Sequence, residues 1–259
     1  AVAEAIVALD VREATPLFQS INEQAQGAHP GIVLMTDPAL ARWDVSDMRP
    51  IWMQRLEGRG GRGMRISAIE SLAAVSHAPA LPALRSLAEN ANPDPGLRLA
   101  AAEALGRMTT TGQTRAAAAL ADGSIVDRLV AIAMLGSHES SDAVAVLLRL
   151  ASDAQPAVAA AALERLIEID PRHAGPLAAG LSTRNDARVR LLAGRVLHAM
   201  QTPEAVAALA PLLDDPDPTV RESARRWMIE LDGIDGLAAA VRRGATRVLM
   251  DESWRGLEQ

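Results

Sequence analysis

The sequence predicts an all-α fold, a right-handed α-solenoid of stacked antiparallel helix pairs. Three observations point there: the composition, an alanine column that recurs about every 31 residues, and helix start and stop residues between the columns. The chain has 259 residues, 49% of them hydrophobic, which is ample for a sizeable core. It has one phenylalanine, Phe18, four tryptophans and no tyrosine. A core rich in alanine and leucine lets helix backbones approach closely, whereas strands favour β-branched and aromatic side chains.

The columns come from six segments that superpose without gaps. Their alanines are Ala68, Ala101, Ala131, Ala162, Ala193 and Ala224, at steps of 33, 30, 31, 31 and 31. Four residues later stand Leu72, Leu105, Leu135, Leu166, Leu197 and Met228. Spacings of four and eight share one helical face, and an alanine within that stripe marks the closest crossing of two helices. A second helical pattern lies between these segments, over residues 79–90, 141–152, 203–213 and 234–243. Asp217-Pro218 and Asn92-Pro93-Asp94-Pro95 offer N-caps with proline in or near the first turn, and Gly136, Gly233 and Gly244 stand where helices should stop. Each unit therefore reads as helix A, a short turn, then helix B.

The Asp-Pro-x-Val-Arg-x-x-Ala-x-x-x-Leu pattern of residues 217–228 resembles HEAT repeats, and residues 186–190 and 94–98 carry the same signature. The short period is similar to that of the bacterial type found in phycobilisome lyases. The resemblance covers residues 46–243, about six repeats, and implies fold far more than function. Residues 1–45 are expected to form a divergent helical N-terminal cap, with helices over 1–14 and 15–26 and a short one starting at Asp37-Pro38. Residues 244–259 are expected to form a C-terminal capping helix, because one period after residue 220 the columns fall on Asp251, Arg255 and Gln259.

Charge and composition exclude several functions. The 26 basic residues are all arginine and the net charge is −6, which argues against DNA or general nucleic-acid binding. Without lysine there is no phosphate-binding loop of the G-x-x-x-x-G-K-[ST] type, and without cysteine no thiolate nucleophile or thiolate metal site. No apolar run reaches the ~18–20 residues of a membrane span. The chain opens Ala-Val-Ala-Glu, without Met or a signal peptide. The expected setting is that of a soluble protein, cytoplasmic or extracytoplasmic after signal removal.

Several polar features invite a functional reading. The arginine column (Arg65, Arg98, Arg128, Arg190 and Arg221, interrupted by Ala159) could receive an acidic strip. The family resemblance instead implies a structural ladder, with Arg98, Arg190 and Arg221 bonded to turn aspartates such as Asp94, Asp186 and Asp217. Arg59 and Arg62, in Gly58-Arg59-Gly60-Gly61-Arg62-Gly63, could contact a partner or a phosphate backbone. Trp43 and Trp254 have polar neighbours and are candidate partner anchors. His138-Glu139 matches one His-Glu pair of the HEAT-repeat di-iron hydroxylases, but a two-metal site needs more ligands than the chain offers, so the pair is placed in a solvated turn. Asp214-Asp215-Pro216-Asp217 suits a helix N-terminus. No catalytic, cofactor-binding or metal residue is assigned and no cofactor is expected.

The function expected is a non-catalytic protein–protein interaction scaffold or assembly subunit, binding a protein partner through the B-helix face or the capping ends. End-to-end self-association through the caps is a further expectation. The alternative is a phycobilisome-lyase-like or chaperone-like helper that acts on a cofactor-bearing protein. Nucleic-acid binding is the weakest reading.

Overall fold

The computed structural model describes residues 2–24, 30–58, 60–92, 94–245 and 247. The described residues are an all-α solenoid of helix pairs, grouped into two compact units, Ala1–Ser140 and Ser141–Gln259.

Unit 1 holds α1 (Val2–Ala8), α2 (Thr15–Gln24), α3 (Pro30–Arg42), α4 (Arg49–Leu56), α5 (Arg62–Ala74), α6 (Leu81–Glu89), α7 (Pro95–Met108), α8 (Thr114–Leu120) and α9 (Ile125–Met134). The pairs α4/α5, α6/α7 and α8/α9 pack internally, and α3, α5, α7 and α9 pack in succession as the stacked B layer. Unit 2 holds α10 (Ser141–Ala151), α11 (Pro156–Ile169), α12 (Gly175–Leu181), α13 (Ala187–Met200), α14 (Pro203–Leu209) and α15 (Pro218–Arg242). Here α11, α13 and α15 form the stacked layer. All six column alanines are fully buried, and the Leu/Met column beside them is buried too. Small side chains at the crossings and large ones a turn later are what let one helix stack on the next.

Helix starts follow local capping chemistry. Asp94, Asp186 and Asp217 each accept backbone N–H bonds from the first turn of their own B helix. Ser124 and Asp127 form a reciprocal capping box at α9. Gly233, with φ 67 and ψ −173, breaks α15 into arms 218–232 and 234–242, as its stop position leads one to expect.

The first 45 residues differ from expectation in detail. The helix expected over 1–14 ends at Ala8. Asp10 takes a left-handed φ of 53, and a 3-10 turn follows at Arg12–Ala14. The same sequence of events recurs at Asp44 (φ 54, then Ser46–Met48) and at Ser76 (φ 48, then Ala78–Ala80). Asp37 does not start a short helix. It lies inside α3 with Pro38, because its carboxylate is drawn into the core by side chains from α4 and α5 rather than toward its own backbone.

Candidate interaction surface

The arginine column ties successive repeats together within each unit. The Nη2 of Arg98 donates to Asp127 Oδ1 at 2.6 Å, and its Nε to the Ala88 carbonyl. Arg190 grips Asp215 with both Nε (2.6 Å) and Nη2 (2.7 Å) and gives Nη1 to the carbonyls of Arg184 and Asn185. Arg221 Nη1 bonds the carbonyls of Asp215 and Pro216, and Arg65 Nη2 that of Leu56. Each rung thus ties an arginine to the end of the preceding helix or to the turn after it, and in two cases to an acid of the following repeat. Asp94, Asp186 and Asp217 act as caps. Asp94 also accepts from Arg62 Nε at 2.8 Å.

These bonds set the acids' titration. The Ser124 hydroxyl bond to Asp127, joined by Arg98 and opposed by burial, holds that carboxyl below its usual range. Burial opposes ionisation of Asp215, but bonds from Arg190 and the Asp217 N–H overcome it and the pKa is again lowered.

At Ala159 the rung runs backwards. One period before Asp215 stands Arg184, so this repeat junction has lost the arginine of the column and gained one at the acceptor's place. Arg184 Nη2 reaches back to the carbonyls of Ser152 (2.9 Å) and Asp153 (3.2 Å), the turn that a column arginine at 159 would hold. A gap of about 180 Å³, lined by Asp153, Ala159, Arg184 and Asp186, remains beside it.

A buried polar network joins α2, α3, α4 and α5. Asp37 accepts from Arg55 Nη1 (2.8 Å to Oδ2), Trp52 Nε1 (3.0 Å) and Ser67 Oγ (3.0 Å). Arg55 Nη2 donates to the carbonyl and side-chain oxygen of Asn22, whose Nδ2 donates to Thr36. Burial pushes the Asp37 carboxyl up, against the pull of Arg55, Trp52 and Ser67. This network escaped the sequence reading, since none of its members shares a motif. A cleft of about 360 Å³ lies over it, lined by Asn22, Ile51, Arg55, Gly60 and Met64 among others. Both terminal nitrogens of Arg55 are engaged below, so the guanidinium supports the cleft floor.

The remaining sequence candidates separate. Trp43 is half-buried. It stacks on Phe18 at 5.9 Å between ring centroids and donates Nε1 to Asp10 at 2.6 Å. Trp254 and Arg59 lie outside the described residues, and so do Asp251, Arg255 and Gln259. His138 is buried and only Glu139 is exposed, so the pair does not occupy a solvated turn: in the turn that follows α9 the His138 N–H bonds the Leu135 carbonyl. Among the described residues no three His, Asp or Glu side chains form a group that could hold a metal, and no helix is long and apolar enough to cross a membrane.

The strip one residue past the arginine column comprises, in unit 1, Ile66, Leu99 and Leu129, all part-exposed, with Ile66 and Leu99 resting on the core and the exposed Glu70 and Glu103 one turn further along α5 and α7.

Residues 50–128, which carry this strip up to Leu129, match the family model for HEAT repeats. They are HEAT repeats. No curated protein matches the chain. Among solved structures, the complex of CpcE and CpcF of phycocyanin lyase from Nostoc sp. PCC7120 is similar at 19% identity and a TM-score of 0.45, over 82% of this chain and 94% of that one. Within that stretch α5 and α7 pack on each other as B helices, and α9, which begins there, packs next on α7.

Proposed function

We propose that the chain is a non-catalytic binding scaffold that holds a protein partner against the B-helix face of its HEAT repeats. One observation carries this reading. The column arginines Arg98, Arg190 and Arg221 are committed to turns and acids within the repeats, while in unit 1 the carboxylates Glu70 and Glu103 stand exposed beside the part-exposed Ile66, Leu99 and Leu129. Repetition supplies such a strip with area rather than a deep pocket, which suits an extended macromolecular surface.

The test uses the full chain as bait in its native lysate, with mass spectrometry, beside two surface variants, Glu103→Arg in unit 1 and Arg195→Glu in unit 2. Both residues are exposed, so folding should persist. A stoichiometric partner held by the wild type and lost with either variant supports the scaffold. A partner retained by both moves the site off the B-helix face. A bound chromophore with no protein partner replaces this reading by that of a helper acting on a cofactor-bearing protein.

A further inference from the structure

We infer that the B-helix face of unit 1 takes an amphipathic helix of a protein partner, with an apolar residue every seven positions and lysine or arginine along one flank. This deepens the scaffold reading and rests on it. The spacing comes first. Ile66, Leu99 and Leu129 occupy the same column on α5, α7 and α9, which pack side by side. Packed helices lie roughly 8–10 Å apart, so the column is an apolar ladder with steps of that size. In a partner helix crossing the stack, residues i and i+7 are about 10.5 Å apart and match those steps.

Charge comes second. Glu70 and Glu103 stand four residues after Ile66 and Leu99, one turn to the same side of the ladder. Both are exposed, and neither side chain makes a hydrogen bond or ion pair with any described residue. Arg107, a turn beyond Glu103, bounds the acidic row on α7. A partner flank lying along that row meets two carboxylates one repeat apart, which basic residues seven apart would pair.

Unit 2 lacks this arrangement. Its ladder positions are Ala160, which is buried, then Leu191 and Glu222. Its carboxylate Glu164 is already held by Arg188 at 2.7 Å, and the next two positions of that row are Arg195 and Arg226. The features belong to unit 1 alone, so the docking site is assigned there.

The experiment titrates the full chain with a synthetic 21-residue helical peptide carrying leucine at every seventh position and lysine along the flanks. A second peptide has glutamate in place of lysine. The lysine peptide should bind saturably and the glutamate peptide at least tenfold more weakly. The double variant E70K/E103K should reverse that preference. Leu99→Ala should weaken binding of the lysine peptide, while Leu191→Ala in unit 2 leaves it unchanged. Circular dichroism of each variant guards against loss of fold. No saturable binding to the wild type, or equal binding by E70K/E103K, overturns the inference. If a lysate partner is still retained in that case, the scaffold reading survives and only this site is lost.

Discussion

Asp37 and Asp215 are both buried beside an arginine, yet they sit in opposite titration regimes. Asp37 is wholly enclosed, and the Arg55 pair beside it has side-chain exposures of only 5% and 0%. Removing one partner from such a pair strands the other charge in the core. Asp37→Ala should therefore lower stability by about 3–5 kcal/mol, read from urea unfolding. Asp215 and Asp127 have folded-state pKa values below the unfolded value of about 3.9. Their contribution is complete above that value and is lost as pH falls through the lowered folded pKa. Asp37, with its raised pKa, has the opposite sign, its contribution being complete below the unfolded pKa and lost as pH rises through the folded one. A comparison of variants therefore isolates the effect. The wild type should lose thermal stability below about pH 4, and Asp215→Asn should start lower at neutral pH but fall less steeply on acidification. At this scale the sequence was least informative: Trp43 has polar sequence neighbours, but Phe18 and Asp10, from distant positions, decide where it sits.

At the scale of the helix the sequence spoke clearly wherever the columns were intact. Ala68 to Ala224 and their leucines placed the B helices, and aspartate with proline placed several of their starts. In the first 45 residues the same element order is present but the column is not. One turn-to-turn period before Ala68 and Leu72 stand Thr36 and Leu40, and Thr36 serves the buried network rather than a helix crossing. The paired turns Asp10-Val11 and Asp44-Val45 were the legible trace. Close helix contact also sets an element-scale prediction. A Cβ on Gly106 of α7 would collide with the Ala133 carbonyl oxygen at the end of α9. Alanine is intrinsically better than glycine in a helix by about 1 kcal/mol. Here the obstacle is backbone, which cannot rotate away, so Gly106→Ala should destabilise by about 1–3 kcal/mol. A shift of the urea midpoint to higher concentration would contradict the contact.

For the whole molecule, stability in a repeat chain is a sum of local terms and nearest-neighbour interfaces. The partners of Asp37 all fall within residues 22–67 and those of Asp215 within residues 190–221, in different compact units. Asp37→Ala and Asp215→Ala should then be additive within about 0.5 kcal/mol when combined, provided unfolding is followed by two probes. The regular architecture was readable from one sequence because repetition tests every column several times. The binding face was less legible: the sequence left the B-helix face and the capping ends as alternatives, because solvent-facing side chains carry little packing constraint.

The backward rung at Ala159 gives the repeats an order. A junction works when a column arginine meets a turn acid, as Arg190 meets Asp215, or when an alanine meets the turn arginine Arg184. If the repeat carrying both Arg184 and Arg190 were duplicated in tandem, its own arginine would face another arginine, with the carboxylate gone. A copy of the repeat carrying Asp215 and Arg221 would instead supply a fitting donor and acceptor. The chain can therefore lengthen by recombination at some junctions and not at others, and its repeats behave as parts with two distinguishable ends rather than as interchangeable beads.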